Sequence, residues 1–217
     1  NAILSNSNYI DMRSNGIEIT ADSSRISESK PIIVPDGWLG LFENGNSDQG
    51  PSGNGRCNNF QIRNIHIKCM NEQNDGTLGS TGGGICREFF GKETTDNTVD
   101  KNKNIIENCS FQGNIGNDCG GICGESCAES EGVITINNCY STGETIGSRA
   151  GGICGNKCGL NSGAVQINNC YSTGTIGSFG GGIGGHNCGD NGVVTINNCY
   201  STGAMGWCGG GIFGTRC

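Results

Sequence analysis

One segment, written three times over, restricts this chain to a narrow set of folds. VITINNCYSTGETIGSRAGGICGNKCGLNSG occupies 133–163, AVQINNCYSTGTIGSFGGGIGGHNCGDNG occupies 164–192, and VVTINNCYSTGAMGWCGGGIFGTRC occupies 193–217. A more diverged copy, IIENCSFQGNIGNDCGGICGESCAESEG, precedes them at 105–132, and another runs from FQIRNIHIKC at 60–69 to GGGIC at 82–86. An apolar residue stands seven positions before the Ile of the glycine motif in each copy: Leu78/Ile85, Ile115/Ile122, Ile146/Ile153, Ile176/Ile183 and Met205/Ile212. Val34 and Leu41 take the same two places in the N-terminal segment, which brings the count to six rungs.

Within a copy the period is that of strands. Val165 and Ile167, like Ile134 and Ile136, alternate with polar residues over a short run that ends at Asn or Gly. No segment carries a sustained apolar stripe of helical period with caps. Short strands repeated in fixed register suit a coiled parallel stack, in which like residues lie one strand spacing, about 4.8 Å, above one another. Antiparallel hairpins would not superpose identical residues and leave the repeat unexplained. The expected fold is therefore all-β, a single-stranded parallel β-helix (β-solenoid) of about six rungs. It forms one domain over 1–217. Residues 1–59 act as a cap-like start and first rung, 60–132 hold diverged rungs with an insertion at 87–104, and 133–217 hold three regular rungs.

Composition supports this. Hydrophobic residues make up only 33% of the chain, while it holds 41 Gly and 15 Cys. Without a Gly-X-Y period this is not collagen, and a net charge of −7 with regularly placed apolar residues does not describe a disordered chain. The acidic balance excludes a basic nucleic-acid footprint. No apolar run approaches the ~20 residues that span a bilayer. The first residues carry no charged region followed by an apolar one, so no signal peptide is expected, and the missing initiator Met points to a mature or trimmed product. Fifteen cysteines suit an oxidising compartment, so the expected location is extracellular, a cell surface or a virion surface.

Aligned by rung, the cysteines form columns. Cys109, Cys139, Cys170 and Cys199 follow the Asn pair, with Cys69 assigned as a diverged member. Cys86, Cys123 and Cys154 follow the motif Ile, and Cys127, Cys158, Cys188 and Cys217 lie five residues after it. Cys57, Cys119 and Cys208 stand outside. Stacked Cα atoms at about 4.8 Å fall inside the 4.4–6.8 Å range of disulfides, so bridges up a column compete with bridges within a rung such as Cys123–Cys127. The chain is expected to be disulfide-rich, with connectivity open and stacked free thiols as the alternative. Metal is disfavoured, because the Cys119/Cys123/Cys127 run lacks a second cysteine pair or histidine pair at zinc spacing and later copies lose its first cysteine. No cofactor is expected. Asn108, Asn138, Asn169 and Asn198 suit left-handed bends, from which each side chain would serve the next rung's backbone.

GGICGNKCGLNSGAVQINNCYSTGTIG resembles the GLUG-type repeat, GG-aliphatic-x-G followed by aliphatic-x-N-C-Y-x-T-G. The likeness covers about 105–217, and GLF at 40–42 with IRNIHI at 62–67 resembles the segment that precedes such repeats. It implies a β-solenoid on a bacterial surface or on the particle of a large amoeba-infecting DNA virus, the cysteine load favouring the second. It transfers no catalytic residue.

Polysaccharide-active enzymes share this architecture, but they need paired carboxylates, or a carboxylate with a base, on one face. Rungs 133–217 hold only Glu144 and Asp190 as acids, and Arg149, Lys157 and Arg216 as bases, none recurring in register. His66 and His186 show no evident partner. An enzyme is not expected. Tyr140, Tyr171 and Tyr200 form an outward column, beside Thr142, Thr173 and Thr202, that suits sugar stacking, packing against another chain, or support of its own sheet. The insertion 87–104 is the best placed binding loop. The expectation is a non-enzymatic structural component of a surface assembly (spike, fibre or shell), with an adhesin for glycan or protein as the alternative. The rung ending at Cys217 is expected to meet another subunit or a neighbouring structural protein.

Overall fold

The computed structural model describes residues 4–5, 10–11, 16–43, 59–73, 75–92 and 104–217. Cys57 and most of the 87–104 insertion (93–103) lie outside the described residues. The chain is an all-β solenoid, with no helix among the described residues. One parallel sheet is six strands deep: Glu18–Thr20, Gln61–Arg63, Ile105–Glu107, Val133–Asn137, Ala164–Asn168 and Val193–Asn197. A second, equally deep, stacks Ile32–Pro35, His66–Met70, Ser110–Gln112, Tyr140–Thr142, Tyr171–Ser172 and Tyr200–Ser201. A short third sheet pairs Thr145–Ile146 with Thr175–Ile176. At the base, Ile10–Asp11 pairs with Phe42–Glu43.

The β-branched residues explain the strands. In Val133–Asn137 the burial alternates, and Ile134 and Ile136 face inward. Register then makes columns: Ile62, Ile106, Ile136, Ile167 and Ile196 superpose rung on rung. Opposite them runs the column Ile85, Ile122, Ile153 and Ile183, all buried. The bend between the two main sheets is an Asn in the left-handed region at every rung from the second on: Asn64 (φ 58°), Asn108 (53°), Asn138 (52°), Asn169 (53°) and Asn198 (53°). This is the conformation expected of them, and Asn bears it with the least penalty after Gly. Their side chains behave differently from the expectation. Amide bonds amide, Asn198 to Asn169 at 3.3 Å, and beside them Asn168 donates to Asn137 and Asn197 to Asn168, both at 2.9 Å.

The glycine pair is dictated by closeness. A Cβ on Gly151 would lie 2.0 Å from the Cys154 carbonyl oxygen, and one on Gly152 would lie 2.1 Å from the Gly182 oxygen and 2.4 Å from Ser172 Cβ. The corner therefore admits no side chain, and Ser141 and Ser172, buried opposite, donate to the Gly152 and Gly182 carbonyls.

Two assignments made from spacing are corrected. Val34 does not share a column with Leu78: it pairs with Cys69, and Trp38 pairs with Leu78 while Phe42 pairs with Cys86. The first rung reaches its corner by a shorter path, so the seven-residue count chose the wrong apolar residue. Cys69 does not belong to the column of Cys109. His66 pairs with Ser110, which sets Ile65 against Cys109 and leaves Cys69 beneath Gly113, whose added Cβ would lie 2.9 Å from Cys69 Cβ. The Asn at the bend marks the register, and the cysteine four residues beyond Ile65 does not.

Charges act between rungs. Arg63 pairs with Glu18 below and Glu107 above, Arg87 with Glu43, Lys92 with Glu129, Arg149 with Asp118 and Lys157 with Glu125. Each of the first three interfaces between successive rungs holds two such pairs. The two upper interfaces hold none among the described residues and rely on amide, tyrosine and serine ladders instead. On the sixth rung Val193, Tyr200, Met205 and Trp207 are exposed.

Candidate functional site

The repeat brings two groups of chemically capable side chains together: sulfur inside and phenol outside. All fourteen described cysteines carry free thiols, so the disulfide-rich expectation is not what the structure holds. In-register parallel strands project like side chains the same way.

The two main columns use sulfur differently. At the bend, each sulfur accepts the backbone N–H of the cysteine one rung below: Cys109 to Cys139 and Cys139 to Cys170 at 3.4 Å, Cys170 to Cys199 at 3.3 Å. Each thiol also donates to a carbonyl two residues back, at Glu107, Asn137, Asn168 or Asn197, at 3.2–3.3 Å. The sulfur thus satisfies the cysteine N–H, while each of these carbonyls also accepts the backbone N–H of the Asn one rung below.

Near the glycine corner the sulfurs meet one another. Cys86, Cys123 and Cys154 are bridge partners rung to rung, with Gly184 and Phe213 continuing the column. Beside them lie Cys127, Cys158 and Cys188, all buried, with the Sγ atoms of Cys158 and Cys188 at 2.8 Å. Cys217 completes the column, accepting the Cys188 N–H at 3.2 Å. Burial pushes the Cys86, Cys123 and Cys188 thiols up. Cys127 is held below its ordinary value by hydrogen bonds from Cys123, Cys154 and Cys158. Cys119 does not join the group: it donates to the Gly79 carbonyl at 2.7 Å, and burial pushes it to about 12. No group of His, Cys, Asp or Glu among the described residues has the arrangement of a metal site.

Accessibility follows the same map. Native alkylation is expected to modify the exposed Cys208 first, then Cys217, whose thiol the neighbouring Cys188 and burial push up, and the half-buried Cys199, which burial pushes up; the buried cysteines should react only on unfolding. Timed iodoacetamide labelling with peptide mass spectrometry checks this.

Tyr140, Tyr171 and Tyr200 are register partners on the outer face of the second sheet. Their rings stack at 4.9 and 5.2 Å between centroids and within 6° of parallel. The ring faces are turned to each other, so edges and hydroxyls meet the solvent along the row. Burial, then Ser110 and Glu28, set the Tyr140 phenol, which rises to about 12. Below Tyr140 the column continues through Ser110 to His66, whose Nδ1 lies 2.7 Å from the Ser110 hydroxyl. His66 therefore has the partner its sequence did not reveal.

Sequence reading also missed the Asp118–Arg149 and Glu125–Lys157 pairs. Opposite charges about one repeat apart were the available signal. His186 packs edge-on to Phe179, which in turn meets Trp207. Among the described residues its buried Nδ1 has no hydrogen-bond partner. Burial lowers the pKa of both histidines, and for His186 Arg216, Arg149 and Lys157 add to the effect. A base with a lowered folded pKa takes up its proton more readily when unfolded, so stability is full above the unfolded value of ~6.5 and falls as pH drops through it. Urea titrations at pH 7.5 and 5.5 should show lower stability at the acid value, and a His66→Gln/His186→Gln variant should show a smaller difference.

Comparison of the chain with models of known families, with curated proteins and with solved structures finds no match.

Proposed function

We propose that this chain is a non-enzymatic structural component of a cell-surface or particle assembly, a rigid rod used as scaffold. The observation that carries the reading is where the polar chemistry goes. Ion pairs, amide ladders, bend thiols and the tyrosine stack all join one rung to the next. Side chains of that kind serve catalysis when they converge on a cleft, and serve rigidity when they repeat along an axis. The cysteine content favours an extracellular or particle surface. The sixth rung, with Val193, Tyr200, Met205 and Trp207 exposed, is the assembly contact in this reading, joining a further copy or a neighbouring structural protein.

The test pairs native mass measurement and electron microscopy of the purified chain with a glycan array and polysaccharide-degradation assays. Rods or end-to-end multimers without glycan binding or turnover support the scaffold. Specific binding of one glycan class, lost on replacing Tyr140, Tyr171 and Tyr200 by Ser, would replace it with the adhesin. Polysaccharide cleavage would replace it with an enzyme.

A further inference from the structure

We infer that Cys158 and Cys188 are the thiol pair this solenoid converts to a disulfide, stapling the fourth rung to the fifth, while the bend cysteines stay reduced. The pairing deepens the scaffold reading and rests on it only for the oxidising surroundings.

The argument is a contrast between columns that the sequence makes look alike. At the bend, each of Cys139, Cys170 and Cys199 accepts a backbone N–H with its sulfur and donates its proton to a backbone carbonyl. Drawing one of these sulfurs into a bridge would take the acceptor from the cysteine N–H one rung below, a cost of about 1–3 kcal/mol, while the carbonyl keeps its bond from the Asn N–H. Cys158 and Cys188 are placed otherwise. Their Sγ atoms face each other at 2.8 Å. That is well inside the ~3.5–4.0 Å at which even the smaller carbon atoms rest unbonded, and longer than the ~2.05 Å of a formed bond. Both side chains are buried, at 0% and 2% exposure. The carbonyl available to Cys188 is Gly155, at 3.6 Å, a weak acceptor contact to give up. Cys188 keeps its N–H bond to the Cys217 sulfur, so a bridge toward Cys158 leaves that bond in place.

The oxidant this requires is a small-molecule disulfide, as glutathione disulfide is. The Cys158 thiolate attacks one of its sulfurs and expels one thiolate, leaving a mixed disulfide. The Cys188 thiol gives its proton to solvent, and its sulfur attacks Cys158 Sγ and expels the second thiolate. Two protein thiols are oxidised and one external disulfide is reduced to two thiols. Because both sulfurs are buried once the rungs close, the exchange belongs to folding, before the fifth rung seals the fourth.

The experiment refolds the reduced, denatured full chain in a glutathione redox buffer, traps free thiols with iodoacetamide after unfolding, and maps peptides without reduction. Trypsin and chymotrypsin, cutting after Lys157, Tyr171, Phe179 and Tyr200, put Cys158 and Cys188 on different peptides. The expected product joins these two peptides, lighter by two hydrogens, with fragmentation placing the bond at Cys158 and Cys188. Cys109, Cys139, Cys170 and Cys199 should be fully alkylated. Cys158→Ser and Cys188→Ser should each abolish the cross-linked peptide, while Cys170→Ser and Cys199→Ser leave it unchanged, with circular dichroism confirming that all four variants fold. A bridge at Cys170 or Cys199, a bridge of Cys158 to Cys127 or of Cys188 to Cys217, alkylation of both thiols, or a metal released by the refolded protein would each overturn the assignment. A folded rod without the bridge overturns this pairing and leaves the scaffold standing; glycan recognition with the bridge intact does the reverse.

Discussion

Gly152→Ala should destabilise the chain by about 3 kcal/mol or more, at or above the upper end of the usual cost of overpacking. The added methyl would lie 2.1 Å from the Gly182 carbonyl oxygen and 2.4 Å from Ser172 Cβ. The first neighbour is backbone held in the ladder, so no rotamer change relieves the contact, and moving it displaces the fifth rung. Gly211 occupies the same column on the sixth rung and is the control. A Cβ there meets nothing closer than Met205 Sδ at 3.9 Å, so Gly211→Ala should fall within about 0.5 kcal/mol of the parent. Urea unfolding of the three proteins decides it. Equal losses at both positions would mean that glycine serves the corner by its backbone freedom and not by closeness.

Trp38→Ala should cost about 3–5 kcal/mol, as large buried aromatic truncations do. Trp38 is fully buried, stacks on Leu78, and donates its indole N–H to the Gly84 carbonyl at 3.2 Å. Truncation therefore opens a cavity and leaves an acceptor at the second-rung corner unpaired. Trp38→Phe should recover most of the packing and lose the hydrogen bond, a net difference of about 1 kcal/mol. Thermal unfolding of the two variants against the parent separates these contributions. A negligible loss for the alanine variant would return Val34 to the place that spacing gave it.

The contrast between these residues shows how far the sequence could be read. Rungs 105–217 were legible because their repeats keep residue type and change little in length: the Asn bend, the Ile of the corner and the glycine pair recur with spacings that differ by one or two residues. The first two rungs were misaligned where path length changed between fixed points. The corner of the first rung is reached from Trp38 in three residues, that of the second from Leu78 in seven. A column is defined by hydrogen-bonded register, which insertions preserve and residue counting does not. The cysteines were found but their use was not. A thiol that bonds backbone, as Cys139 does, and a thiol that faces another sulfur, as Cys158 does, have the same spacing. The distinction lies in side-chain rotamers, which a repeat does not encode. The tyrosine ladder was legible as a column, while the orientation of its rings was not.

The distribution of charge along the axis has a genetic consequence. The lower rungs are individually addressed, since Arg63 fits only between Glu18 and Glu107, and Arg149 only above Asp118. Deleting one of them brings mismatched charges together. The upper rungs carry no such charge address among the described residues, and the same Asn, Tyr and Ser columns run through both of their seams. Recombination between the segments that encode them would remove or duplicate a whole copy such as 164–192 and keep the Asn, Tyr and Ser ladders in register. The solenoid thus has a lower part of fixed rung order and an upper part whose length inheritance can adjust in steps of one rung.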